Sequence, residues 1–118
     1  MPRRVDPAAG QAALAAWAAG DASKAQIATA VRHTLALLAE QAPGRAVEVR
    51  VPPAGAVQAV AGPRHVRGTP PSVVEMKPET WLALATGKAG WASEIAAGAV
   101  SATGERADLS SQFPLTQP

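Results

Sequence analysis

The chain has 118 residues, a length typical of one domain, and its eleven basic and nine acidic side chains give a formal net charge of +2. These charges are mixed along the chain and tyrosine is absent, which argues against a nucleic-acid-binding module. The absence of cysteine excludes disulfides, thiolate metal sites and thiol nucleophiles.

Alanine dominates the apolar residues, with 29 alanines against three tryptophans and one phenylalanine. Small side chains favour closely packed helices over a large cavity. No run of 18 apolar residues occurs, so no membrane helix is expected. Arg3 and Arg4 are followed by Asp6 and Pro7 rather than by the apolar centre of a signal peptide, and we therefore expect a cytoplasmic protein.

The first third of the chain predicts a helical hairpin. Asp6-Pro7 is a helix-start signal, and the first helix is expected to end near Ala19, before a glycine. Asp21 is the predicted N-cap of a second helix at about Ala22–Gln41, whose apolar residues recur at helical spacing. The short connection between the two helices predicts a tight antiparallel pair.

Alternating valines then predict β-strands. Val47, Val49 and Val51 alternate with charged residues, as in a strand that buries one face. Further strands are predicted, each from a similar but shorter pattern bounded by glycine or proline, at Val57–Ala61, near Val66, at Ser72–Met76 and at Ala99–Thr103.

Two short helices are predicted before the last strand. The first begins at Pro78 and carries Trp81 and Leu84 on one face, and the second carries Trp91 and Ile95. The tryptophans are either core anchors against the sheet, or one of them lines an apolar pocket between the helices and the sheet.

Together these elements predict an α+β fold in a single domain, residues 1–118. An N-terminal helical hairpin (1–43) is followed by a largely antiparallel sheet of four or five strands covered on one face by helices (44–115). Residues 116–118 form a tail, and the polar stretch from Ser110 onward is expected to fray.

No catalytic residue, metal site or cofactor is predicted. Gly87-Lys88 lacks the other residues of a phosphate-binding loop, and no Gly-x-Ser-x-Gly motif is present. His33 and His65 are not spaced as a helical metal-binding pair.

The cluster Arg64-His65-x-Arg67 is the one local concentration of basic residues. It either recognises an anionic group, such as a fatty carboxylate or a phospholipid head, through charge-assisted hydrogen bonds, or is a solvated hairpin loop. The residues alone leave both interpretations open.

Two motifs in this order, Trp81-Leu82-x-Leu84-x-x-Gly87 on a helix and Val100-Ser101-x-x-Gly104 on the last strand, resemble bacterial sterol-carrier-protein-like (SCP-like) domains. The resemblance covers about the last two thirds of the chain. It implies helices over one face of a curved sheet, with a fatty-acyl or sterol-like ligand held between the layers and no chemistry performed.

The resemblance also implies which side chains would line such a pocket. The helix side would contribute Trp81, Leu84, Trp91 and Ile95, and the sheet side Val57, Val73 and Val100. Some relatives serve packing or oligomerisation within larger enzymes. The alternative is therefore an interaction module without ligand, a homo-oligomer or a partner of another protein, docking through its alanine-rich N-terminal helices.

Overall fold

The computed structural model describes residues 5–62 and 72–118, and within these ranges the chain forms α-helices packed on one β-sheet. The elements, in chain order, are α1 (Pro7–Ala18), α2 (Lys24–Gln41), β1 (Val47–Val51), β2 (Gly55–Ala59), β3 (Ser72–Met76), α3 (Pro78–Ala85), α4 (Trp91–Ala96), β4 (Val100–Thr103) and a 3-10 turn at Ser110–Gln112. The predicted α+β class is confirmed. The strand expected near Val66 lies outside the described residues.

Both helices of the hairpin begin at side-chain caps. The Asp6 carboxylate accepts a hydrogen bond from Ala9 N at 3.1 Å, as the sequence predicts. The second cap is Ser23 rather than Asp21, because Ser23 and Gln26 form a reciprocal capping box. Ser23 Oγ accepts from Gln26 N at 3.1 Å, and Gln26 Oε1 accepts from Ser23 N at 2.9 Å.

The hairpin closes through an unusually near approach of its helices. Gly10 of α1 lies directly against the side chain of His33 on α2, which is only 8% exposed. Ala13 and Leu14 are buried on the same side of α1. The absence of a side chain at Gly10 therefore allows α1 to lie close against α2.

α1 is also tied to α3. The Trp17 indole N–H donates to Glu79 Oε2 at 3.0 Å, and Lys88 Nζ lies 5.0 Å from the centre of the Trp17 ring. The ammonium over the ring is a cation–π contact. These contacts place the hairpin within the domain rather than beside it.

Within residues 5–62 and 72–118 the sheet has four strands, in the order β2-β1-β3-β4. β2 and β4 are antiparallel to their neighbours, whereas the two central strands, β1 and β3, run parallel. Of the three ladders two are therefore antiparallel, in line with the expectation of a largely antiparallel sheet. α2 packs against β2 and α3, and α4 packs against β4.

Side-chain alternation separates the two faces of the sheet. Val47, Val49 and Val51 are fully buried toward the helices, while Glu48 and Arg50 point to the outer face. The inner face and the helices share one core of leucine, valine and alanine side chains, with Trp81 the largest of its fully buried members. None of the helices in the described ranges is long and apolar enough to cross a membrane.

The C-terminal segment does not fray as expected from its composition. The backbone N–H groups of Leu115 and Thr116 both donate to the carbonyl of Ala85, at 2.8 and 3.2 Å. Gln41 Nε2 donates to the carbonyl of Gln112 at 2.9 Å. The segment is thus fastened across α2 and the end of α3.

We expect Gly10→Ala to destabilise the domain, because the added methyl would lie 2.3 Å from His33 Cγ. Overpacking typically costs about 1–3 kcal/mol, whereas alanine would otherwise gain roughly 1 kcal/mol over glycine within a helix. Urea denaturation measures which effect is larger. The double variant with His33→Ala should recover most of the loss, and an unchanged or raised stability of Gly10→Ala would contradict the close packing.

Candidate apolar ligand site

The predicted helix-side residues differ in how deeply they lie. Trp81 and Leu84 of α3 are completely buried. Trp91 of α4 is half-buried, and Ile95 is exposed over 39% of its surface. α3 thus forms the floor of the candidate site, and α4 lies at its solvent edge.

The predicted sheet-side residues do not lie together. Val57 and Val100 both point toward the helices, but they lie on the two opposite edge strands of the sheet. Val73 pairs with Glu48 and shares the outer face, because side chains alternate along β3 and its neighbour Val74 is the buried one. Val73 therefore does not face the helices, and its expected place on the inner side of the sheet is corrected to the outer side.

Trp81 is fixed by a buried hydrogen bond as well as by packing. Its indole N–H donates to Thr34 Oγ1 on α2 at 2.7 Å, and the Thr34 hydroxyl donates in turn to the carbonyl of Ala30 at 2.8 Å. Both side chains are fully buried. A buried indole N–H without an acceptor is costly, so this pair sets the position of α3 on α2.

Phe113 connects Trp81 to the surface. Its ring meets Trp81 edge-on with centroids 5.7 Å apart, and it lies nearly parallel to Trp91, 20° between planes, at 6.0 Å. Both distances fall in the range of favourable aromatic pairs. We call Trp81, Phe113 and Trp91 the aromatic cluster; it extends from the core to the half-buried rings at the surface.

Trp81 is packed within the core and has no exposed surface. Two depressions of about 180 and 360 Å³ lie elsewhere, beside Glu75 and Pro52, and neither is lined by a residue of the aromatic cluster. An apolar ligand would therefore have to displace side chains in order to enter beside Trp81.

The outer face of the sheet is polar. Arg50 Nε donates a hydrogen bond to Glu48, and this bond raises the pKa of Arg50, with the charges of Glu48 and Glu75 acting in the same direction. The described residues contain no group of three or more histidine, aspartate or glutamate side chains placed to hold a metal ion.

The basic candidates Arg64, His65 and Arg67 lie outside the described residues, and their contact with an anion stays a prediction. Sequence reasoning missed Phe113 and Thr34. Thr34 lies within the apolar stripe of α2, a position where a hydroxyl needs a partner, and Phe113-Pro114-Leu115 is an apolar group within a polar segment.

Helices over one face of a four-stranded sheet, with an apolar cluster between the layers, define a small α+β domain of the sterol-carrier type. The family model described as "bacterial SCP ortholog" matches residues 23–115, from the N-cap of α2 to Leu115 in the C-terminal segment. The chain belongs to this family, as its motifs predict. A comparison with curated proteins found no match.

We expect Thr34→Val to lower the free energy of unfolding by about 1–3 kcal/mol, since it leaves the buried Trp81 N–H without an acceptor. Urea denaturation followed by tryptophan fluorescence gives the value. Thr86→Val is the matched control, because Thr86 makes the same hydroxyl-to-carbonyl bond within α3 and its described bonds include none to an indole. Equal effects of the two variants would contradict the role given to the Trp81–Thr34 bond.

Proposed function

We propose that this protein binds an apolar ligand, of the fatty-acyl or sterol-like class, and performs no chemistry on it. The observation that carries the proposal is the aromatic cluster, which is continuous from the fully buried Trp81 to the half-buried Trp91. Membership of the SCP family supports the same class of ligand.

The site offers mainly apolar surface to a ligand. The exposed part of Ile95 lies on the same helix as Trp91, one turn away, and the intervening Ala92 is also exposed. An alkyl chain that covers these side chains would remove from water apolar surface that the domain alone leaves exposed. Each buried methylene contributes about 0.8 kcal/mol, so roughly ten methylenes correspond to micromolar affinity, about 8 kcal/mol.

Two ionisable side chains on or just after α3, Glu79 and Lys88, have structural partners. Glu79 accepts the Trp17 N–H, and Lys88 lies over the same ring, so both serve the docking of α1. In this proposal both side chains stabilise the fold, and the ligand is bound and released without chemical change.

Titration with fatty acids of increasing chain length is the test. Affinity should rise by about tenfold per two fully buried methylenes and then reach a plateau, because the apolar surface that the cluster can offer to a chain is finite. Tryptophan fluorescence reports binding directly, since two of the three tryptophans lie in the cluster.

A variant pair makes the titration specific. Trp91→Ala should weaken binding about tenfold or more, whereas Val73→Ala, on the outer face of the sheet, should leave the affinity within about twofold. Absence of binding at every chain length, and for a soluble sterol, would contradict the proposal. Equal loss in both variants would place the ligand elsewhere.

The alternative function is an interaction module that docks through α1. It is favoured by the outward side of this helix, where Ala9, Ala12 and Ala15 are exposed, small and uncharged. Sedimentation velocity at increasing protein concentration tests it. Association that is lost on Ala12→Glu, with unchanged acyl-chain affinity, would support the module and separate the two functions.

A further inference from the structure

The three rings of the aromatic cluster lie on different kinds of structure. Trp81 belongs to α3 and Trp91 to α4, so helices position both tryptophan rings. Phe113, the ring between them, follows the 3-10 turn in a segment without helix or strand. Displacing the Phe113 ring would therefore not require either helix to unfold.

The Phe113 ring has the geometry expected of a bound apolar group. It lies nearly parallel to the Trp91 ring, with centroids 6.0 Å apart. It contacts the Trp81 ring edge-on, with centroids 5.7 Å apart. It is half-buried, so one side of the ring already meets solvent. An entering ligand reaches this ring before it reaches Trp81.

In the described part of the chain, three hydrogen bonds join the residues that follow the ring to α1 and α3. The Leu115 and Thr116 N–H groups share a single acceptor, the carbonyl of Ala85, and Gln117 accepts from the exposed Gln11 side chain at 2.8 Å. The bond to Gln117 is exposed, so water can replace it at small cost, and opening this segment breaks these three bonds without separating α3 from the sheet.

We infer that Phe113 is an internal substitute for the ligand: its ring occupies the place between Trp81 and Trp91 that an acyl chain or sterol takes, and binding expels it. This inference rests on the proposed function and names the part of the site that the ligand enters. The affinity measured for the protein is then lower than the intrinsic one, since only molecules with the ring displaced are competent to bind.

The chain offers a direct reporter, because Phe113 is its one phenylalanine. Protein labelled with ring-¹³C phenylalanine gives NMR signals from this ring alone. Ring currents of Trp81 and Trp91 shift these signals away from the positions of a solvated phenylalanine. On titration with dodecanoate, these signals should move toward the positions of a solvated phenylalanine, in proportion to the bound fraction.

The possible outcomes distinguish failure of this inference from failure of the proposed function. Saturable binding of dodecanoate with unmoved Phe113 signals would overturn the inference and leave the proposed function intact. If neither dodecanoate nor a soluble sterol binds at all, both fail.

Two variants give an independent measurement. Phe113→Ala empties the place between the tryptophans, and its affinity for dodecanoate should rise at least tenfold, a change of about 1.4 kcal/mol. Leu14→Ala removes a fully buried side chain from α1, outside the cluster, and should leave the affinity within about threefold. Equal or weaker binding by a folded Phe113→Ala protein would overturn the inference, and the labelled wild-type protein decides the question if that variant does not fold.

Discussion

The buried contact between Trp81 and Thr34 joins two parts of the chain that no local signal connects. Thr34 lies in the middle of α2, whereas Trp81 begins the second turn of a helix that follows the third strand. The hydrogen bond between them, at 2.7 Å, fixes the rotation of α3 about its axis, because the indole can reach the hydroxyl from one direction only. Leu84 and the carbonyl of Ala85 are positioned by that rotation. Ala85 in turn holds Leu115, so the C-terminal segment depends on the same contact.

Alanine content explains why the layers close so tightly around this tryptophan. Side chains such as Ala30 and Ala85 are completely buried and add little bulk between the helices and the sheet. Protein interiors close gaps of this kind to high density. The large aromatic rings therefore fill the remaining volume. A ligand would enter by displacing one of these rings rather than through a permanently open tunnel.

Local rules predicted the elements well where one signal decides the structure. The alternation of Val47, Val49 and Val51 specified a strand and its buried face, and Asp6-Pro7 specified the start of α1. The start of α2 shows a competition between two signals: the sequence predicts Asp21 as the N-cap, yet Ser23 has the glutamine three residues later that completes a capping box.

The candidate site was harder to predict because its geometry depends on contacts between distant residues. Val73 and Val74 are adjacent and chemically identical, and only the pairing of β3 with β1 decides which one faces the helices. Phe113 has no periodic pattern around it, and its partners lie on two separate helices. The sequence thus indicated the tryptophans of the cluster but not the ring that joins them.

The parallel pairing of the two central strands has a kinetic consequence. β1 and β2 are joined by a short turn and can pair as soon as the chain bends there. β1 and β3 cannot pair until β2 and the whole stretch before Ser72 have been closed into a loop, and the entropy of that closure must be met before any ladder hydrogen bond forms. The β3–β4 ladder joins residues that are comparably distant along the chain, so the β1–β2 edge is the one part of the described sheet that can form from local contacts, and the other two pairings are of the non-local kind that slows folding.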